Sequence, residues 1–185
     1  LSSTHTFSEN LYPEVLSLAG VSAAWPLYRI DVSLADRKNF FLEIIGVDFL
    51  TTTLLPWSDS EEDFSKVLFH PWVAVNPSLA QEMSWSVGDS ITVSSGSQKA
   101  DLTIGALVDF QKISPLASRK LAVMDIGQVQ ALLGVRGQIH QVDIQLQEGV
   151  DRGEAARQLR TKLGPSVRVV TPQQREQQAA NLMNA

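Results

Sequence analysis

The apolar positions in the first part of the chain change from a helical spacing to a strand spacing. Between residues 8 and 18 an apolar side chain recurs every three or four positions, which predicts a short helix. Residues 21–34 and 39–47 are then rich in β-branched, aromatic and aliphatic side chains, and the polar residues 35–38 separate them. We therefore expect an α-β-β opening in which a hairpin turn joins the two strands.

The middle of the chain combines a helix start with a second hairpin. Asn76 followed by Pro77 is typical of a helix start, because asparagine caps the first turn and proline is tolerated at the first helical position. Residues 90–94 and 100–110 alternate between apolar and polar side chains on either side of the turn 95–97, which predicts a tight hairpin. This part of the chain is expected to hold a helix and two antiparallel strands.

The last third of the chain has the clearest pattern. A short apolar strand over residues 121–124 is expected to lead into a helix that Asp125 caps and Gly134 ends. Residues 141–147 alternate as in a half-buried strand, and Asp151 with a glutamate three residues later predicts the cap of the next helix.

A further strand and a further helix are predicted after that helix. Residues 167–170 are mostly valine, which favours a strand, and residues 174–185 have the spacing of an amphipathic helix. The chain is therefore expected to end in a β-α-β-α arrangement.

Composition removes several classes of protein. The chain of 185 residues is 44% hydrophobic and 19% charged, as in ordinary globular domains, and no apolar run approaches the roughly 18–20 residues that span a bilayer. We expect a soluble piece of chain. Fifteen basic residues against twenty acidic ones argue against nucleic-acid binding. The absence of cysteine excludes disulfides, thiolate zinc sites and a cysteine nucleophile.

Motifs that carry catalysis or cofactor binding are missing from the sequence. His5, His70 and His140 lie far apart, without acidic residues at metal-ligand spacing, and no Gly-x-Ser-x-Gly elbow indicates a serine hydrolase. The glycines of residues 134–137 follow a helix instead of opening one, which is the wrong order for phosphate binding. We expect no catalytic residue, no bound cofactor and no metal.

Two features in the middle of the chain allow more than one interpretation. The acidic run 59–63 lacks the spacing and the central glycine of a calcium loop, so a solvated helix start is the expected structure. A concentration of aromatic residues could be a recognition surface or the core of a small lobe. Its members are Trp57, Phe64, Phe69, Trp72 and Trp85.

The two ends of the sequence favour a segment of a longer protein. The chain begins with Leu1 instead of a methionine, and its first residues show no apolar signal region. The expected final helix stops at Ala185 without the glycine or asparagine that commonly closes a helix. A signal peptide removed before Leu1 is the other interpretation of the N-terminal end.

Five short stretches, in this order and with these elements between them, resemble the periplasmic core domain of MacB/FtsX-type ABC-transporter permeases. The similarity extends over nearly the whole chain. The stretches are Leu18-Ala19-Gly20-Val21, Ile45-Gly46-Val47-Asp48, Val73-Ala74-Val75-Asn76, Ser86-Val87-Gly88-Asp89 and Ile104-Gly105-Ala106.

The resemblance implies an α+β fold with two mixed α/β lobes. A lobe similar to the porter domains of efflux pumps would be built from both ends of the chain, residues 1–48 and 138–185. A second α/β lobe, residues 49–137, would be inserted between them. The domain would stand between the first and second transmembrane helices of a permease.

The same resemblance implies a mechanical function. ATP hydrolysis in a separate ABC ATPase subunit or domain would move the transmembrane helices, and two copies of this domain in a permease dimer would pass the motion to the periplasmic side. The domain would then be no enzyme. A periplasmic adaptor or an outer-membrane component would be a further partner. Drug or peptide efflux, lipoprotein release and cell-division signalling all occur in the family.

One departure from the family concerns the hairpin around residues 94–99. Lipoprotein-releasing permeases carry a long, proline-containing hook at this place, whereas this turn is short, so a carrier-gripping hook is not expected. The basic loop that follows is a better candidate for a partner contact than this hairpin, although an ordinary surface loop is the favoured interpretation. Its candidate contact residues are Gln111, Lys112, Pro115, Leu116, Arg119 and Lys120.

Two hypotheses compete with the transporter domain. A free-standing soluble ligand-binding or adaptor domain would have a signal peptide before Leu1 and a stop codon near Ala185. A hydrolase would need turnover that depends on His70 or His140.

Overall fold

This computed structural model describes residues 6–49, 70–113, 117–165, 167–171 and 173–174, in which helices stand between single strands or groups of strands. The elements in order are β1 (Phe7–Ser8), α1 (Leu11–Leu16), β2 (Val21–Leu34), β3 (Phe41–Val47), β4 (Trp72–Val75), α2 (Pro77–Met83), β5 (Ser90–Ser95), β6 (Gln98–Leu107), α3 (Phe110–Ile113), β7 (Leu121–Asp125), α4 (Ile126–Leu133), β8 (Gln138–Ile139), β9 (Gln141–Leu146) and α5 (Arg152–Leu163).

Six of these strands close into a ring. The pairing runs β2-β3-β7-β4-β6-β5 and returns to β2, with β3–β7 and β4–β6 parallel and the other pairs antiparallel. Ser33 and Leu34 of β2 close the ring by pairing with Ser94 and Val93 of β5.

The main core fills this ring. Alternate residues of each strand point inward, and Val32, Leu42 and Ile104 are at most 2% exposed. Leu79 of α2 and Val129 of α4 pack against the same core. Burying a side chain such as Leu79 is worth about 2 kcal/mol, so both helices are held mainly by these apolar contacts.

A second layer extends from the first half of β2. Residues 21–27 of this long strand pair with β9, whereas residues 27–33 pair with β3. Val15 of α1, Ala24 of β2 and Leu159 of α5 form the centre of a separate apolar cluster on this layer. β2 is therefore shared between the ring and the layer.

Both helices that bracket the ring begin where their sequences predict, and α4 also ends where predicted. The Asn76 side chain accepts a hydrogen bond from the Ser78 amide at 2.9 Å and caps α2. The Asp125 carboxylate accepts from the Gln128 amide at 3.1 Å and caps α4, which Gly134 ends with φ +66°. α2 stands at the end of the ring where β2 ends and β3 and β7 begin, here called the α2 end.

Several element boundaries differ from the sequence expectation. The first helix is shorter than residues 8–18, because Phe7 and Ser8 pair with β8 instead. The predicted strand ending at residue 110 stops at Leu107, and Phe110 begins α3.

No strand forms over residues 167–170. The Val169 carbonyl there accepts a hydrogen bond from the Arg160 guanidinium at 3.0 Å, so a side chain occupies a group that a strand pairing would use. The expected helices at 59–63 and over most of 174–185 lie outside the described residues.

The α+β class expected from the sequence is confirmed. The division into residues 1–48 with 138–185 and residues 49–137 stays a prediction. Strands from both segments belong to the same seven-stranded sheet, since β2 and β3 pair with β5 and β7.

Candidate functional site

The predicted partner-contact loop lies at the α2 end of the ring. Gln111 and Lys112 belong to α3, where the Gln111 amide donates to the Asp109 carboxylate at 3.2 Å and the Lys112 ammonium lies 3.9 Å from the same side chain. Phe110 is buried in an apolar cluster on the outside of the ring. Pro115 and Leu116 lie outside the described residues, and the contact role of the whole loop stays a prediction.

Arg119 and Lys120 form an exposed basic turn directly before β7. The Lys120 carbonyl accepts from the Glu43 amide at 2.9 Å, and its own amide donates to the Ser118 hydroxyl at 3.1 Å. Its ammonium lies 4.6 Å from the centre of the Phe40 ring, within cation–π distance. The backbone of this turn is therefore held in place, and both basic side chains remain exposed although the Lys120 ammonium lies against Phe40.

A second basic turn stands beside the first one. The β2–β3 turn carries Arg37 and Lys38, both exposed, and closes at Asn39 with the left-handed φ of +64°. Because β3 and β7 are parallel neighbours, with Glu43 opposite Leu121, the two turns occupy the same end of adjacent strands.

An exposed aromatic side chain lies between the two turns. Phe40 points into the core and is 7% exposed, whereas Phe41, the next residue, points outward and is 59% exposed. Its partner across β2 is the small Ser33, which leaves the ring uncovered on that side. We call Arg37, Lys38, Phe41, Arg119 and Lys120 the basic-aromatic patch.

Only part of this patch was found from the sequence. The predicted contact residues include Arg119 and Lys120 but not Arg37, Lys38 or Phe41. Two adjacent cations in a hairpin turn, followed by an aromatic residue at an outward strand position, were the available signal. That signal can be interpreted only when it is known which residues of β3 face outward and that β7 lies beside β3.

His140 joins the second layer to the ring. Its Nδ1 accepts a hydrogen bond from the Arg29 amide at 3.2 Å, and its ring packs edge-on against Tyr28 at 4.4 Å between centroids. Burial first and the Arg29 charge second hold the pKa of His140 below its usual value. Arg29 itself forms an ion pair with Glu43 at 3.0 Å. This arrangement favours a neutral imidazole at the junction between the second layer and the ring.

Asp125 is a carboxylate with a perturbed pKa. Burial raises the pKa of Asp125 most, the nearby Asp48 charge raises it further, and backbone hydrogen bonds at the start of α4 oppose the shift. A helix cap explains this carboxylate fully.

The remaining candidate positions are not brought together. His70 is exposed far from His140 in the chain, and His5 lies outside the described residues. In the ranges that the structure describes, no three histidine, aspartate or glutamate side chains cluster as metal ligands. The described helices include none that is long and apolar enough to cross a bilayer.

The aromatic residues noted in the middle of the sequence do not form one cluster, because two of them lie on opposite faces of the sheet. Trp85 packs against the core inside the ring, and Trp72 packs on the outer face with Phe49 at 6.2 Å between ring centroids. Trp57, Phe64 and Phe69 lie outside the described residues.

Comparison with solved structures identifies the fold. The extracellular domain of the noncanonic ABC-type transporter YknZ from Gram-positive bacteria aligns with a TM-score of 0.57 and 14% identity, over 86% of this chain and 85% of that one. The periplasmic region of MacB from Actinobacillus actinomycetemcomitans aligns with a TM-score of 0.53 and 11% identity, over 85% of this chain and 72% of that one. No family model and no curated protein matches the sequence. The predicted resemblance to the MacB-type periplasmic domain is thus confirmed at the level of the fold.

Proposed function

We propose that this chain is the extracytoplasmic domain of an ABC transporter permease subunit, anchored at the outer face of the membrane by flanking transmembrane helices. The supporting observation is the fold, which the extracellular domain of a transporter shares over 86% of the chain. The resemblance found in the sequence patterns supports the same proposal, although identity to that domain is only 14%.

The domain's task in this proposal is to pass motion, and β2 is the element suited to it. Its 14 residues belong to the second layer at one end and to the closed ring at the other, without a loop between them. Ladder hydrogen bonds run along both halves of the strand, so a displacement of the layer carries the ring with it. A flexible linker between the two parts would instead absorb such a displacement.

In this proposal the chemical step, ATP hydrolysis, takes place outside this chain. ATP is hydrolysed in a separate ABC ATPase subunit or domain, two permease copies act together, and this chain breaks no bond and holds no cofactor. The short β5–β6 turn, without a long hook, favours efflux with a periplasmic adaptor or outer-membrane component over lipoprotein release.

The test is purification of the full-length gene product from membranes in mild detergent after cross-linking, followed by mass spectrometry of its partners. Recovery of an ABC ATPase supports the proposal, and recovery of a periplasmic adaptor with it supports efflux. A parallel preparation without cross-linker identifies proteins that adhere nonspecifically. Recovery of the protein alone in the soluble fraction would overturn the proposal and favour a free-standing binding domain.

A further inference from the structure

We infer that the basic-aromatic patch, Arg37, Lys38, Phe41, Arg119 and Lys120, is a docking surface for an acidic segment of a protein partner. The choice of a protein rather than a membrane rests on the function proposed above.

The first argument is the local charge. The protein carries a formal charge of −5, yet four cations meet here, and Asp36 is the one carboxylate within the two turns. Among the described residues, no carboxylate lies within ion-pair distance of Arg37, Lys38 or Arg119. The carboxylates next to Phe41 on the same face are Glu43 and its cross-strand partner Asp31, and Glu43 already forms an ion pair with Arg29 at 3.0 Å. The patch is therefore complementary to an anionic ligand.

The second argument is Phe41. It is the most exposed large apolar side chain in the described part of the chain, and it stands on a paired strand rather than on a loose loop. An aromatic residue on a rigid element loses little conformational entropy when it is covered, which is why such residues anchor interfaces. Cations around an apolar anchor suit a peptide that carries both acidic and apolar residues.

The third argument is the position of the patch. The second layer, with α1 and α5 packed on it, lies at the first half of β2, and the patch lies around the last residues of that strand. A strand of this length spans about 45 Å. Both described ends of the chain lie at the second layer, since α1 packs on it and Gln174 accepts a hydrogen bond from Arg160 of α5 at 3.3 Å. In the proposed function the membrane anchors adjoin this layer, and the patch stands at the opposite end of β2. Charges at that distance are screened from lipid headgroups, because the Debye length in physiological salt is about 8 Å.

The test measures binding of the 185-residue chain to a fluorescent 12-residue peptide of alternating glutamate and leucine, by anisotropy at low and physiological salt. The comparison peptide has glutamine in place of glutamate. We expect the acidic peptide to bind and the glutamine peptide to bind at least about tenfold more weakly. The fourfold variant R37Q/K38Q/R119Q/K120Q should weaken binding by about tenfold or more, and Phe41→Ser by about fivefold.

A matched variant distinguishes an effect of the patch on binding from an effect of the total charge. R136Q/R152Q/K162Q/R168Q removes the same number of exposed cations from elsewhere on the surface and should leave peptide binding unchanged. Circular dichroism establishes that each variant is folded. Equal losses in the two fourfold variants, or no binding of the acidic peptide, would overturn the inference.

Vesicles test the membrane as the alternative ligand. Co-sedimentation with phosphatidylglycerol vesicles that depends on the patch, without peptide binding, would replace the protein partner by a lipid surface and so overturn the inference. Such a result leaves co-purification with an ABC ATPase unaffected, so failure of the patch and failure of the transporter assignment are distinguishable.

Discussion

The indole of Trp72 occupies the space that a side chain on Gly105 would need. A Cβ atom built on Gly105 would lie 1.2 Å from Nε1 of Trp72, and the nearest carbon atoms of the indole would be 1.8 Å away. Trp72 begins β4 and Gly105 lies on β6, the strand that pairs with it in parallel. The glycine in the Ile104-Gly105-Ala106 stretch is therefore explained by packing on the outer face of the ring.

Replacing Gly105 by alanine is expected to destabilise the domain by about 3 kcal/mol, because the indole must leave its place on the sheet. Urea denaturation measures the change. The double variant Trp72→Ala/Gly105→Ala should cost less than the sum of the two single variants, since the clash is then absent. Gly153→Ala, near the exposed start of α5, is the control and should change stability by less than about 1 kcal/mol. Additive costs in the double variant would contradict this packing relationship.

Closure of the ring can be tested with a disulfide. The hydroxyls of Ser33 and Ser94 lie 2.8 Å apart on paired positions of β2 and β5, and the protein has no cysteine of its own. Ser33→Cys/Ser94→Cys should form a disulfide readily. Cross-linking across this long loop would stabilise the domain by up to about 4 kcal/mol, measured as the difference between oxidised and reduced protein.

The matched control for the disulfide is Ser33→Cys/Ser90→Cys. Ser90 lies four residues before Ser94 in β5, about 13 Å from the position paired with Ser33, and cannot be bridged to it without moving the backbone. Non-reducing electrophoresis distinguishes the two variants. Equal oxidation of both pairs would argue against this strand register.

The cap of α5 is expected to contribute about 1 kcal/mol. The Asp151 carboxylate accepts from the Glu154 amide at 2.7 Å, so Asp151→Ala leaves that amide without its capping acceptor. Asp151→Ser restores an acceptor and should recover most of the stability in thermal denaturation. Asp143→Ala on the exposed face of β9 removes an equal charge and should cost clearly less. The same loss at both sites would mean that charge rather than capping is responsible.

Stability should fall as the pH drops below about 6.5 because of His140. Its pKa is lower in the folded than in the unfolded protein, so protons bind more readily to the unfolded chain as the pH falls. Protonation of Nδ1 also removes the acceptor of the Arg29 amide. Urea denaturation at pH 7.5 and 5.5 should show a smaller loss for His140→Asn, which keeps an acceptor without titrating. His70→Asn should behave as the unsubstituted protein, and an unchanged loss in His140→Asn would contradict this assignment.

Local sequence signals predicted the elements of this fold because their causes are local. The polar turn after residue 34, the cap at Asn76 and the Asp151 cap each depend on residues within one turn of chain, and each lies where expected. The prediction of a strand at 167–170 was wrong because a strand depends on a partner outside its own segment. A strand requires a partner, and Arg160, a residue in the preceding helix, binds the Val169 carbonyl instead.

The sequence by itself determined the mixed α+β class, most of the strands and helices, and the similarity to a transporter domain. Only the tertiary structure decided that six strands close into a ring, that β2 serves two layers, and that Phe41 meets two basic turns. Pairing between distant strands depends on contacts of side chains far apart in the chain, which local propensity does not encode. The basic-aromatic patch also depends on such distant pairing, because Arg37 and Arg119 become neighbours only through the parallel pairing of β3 with β7.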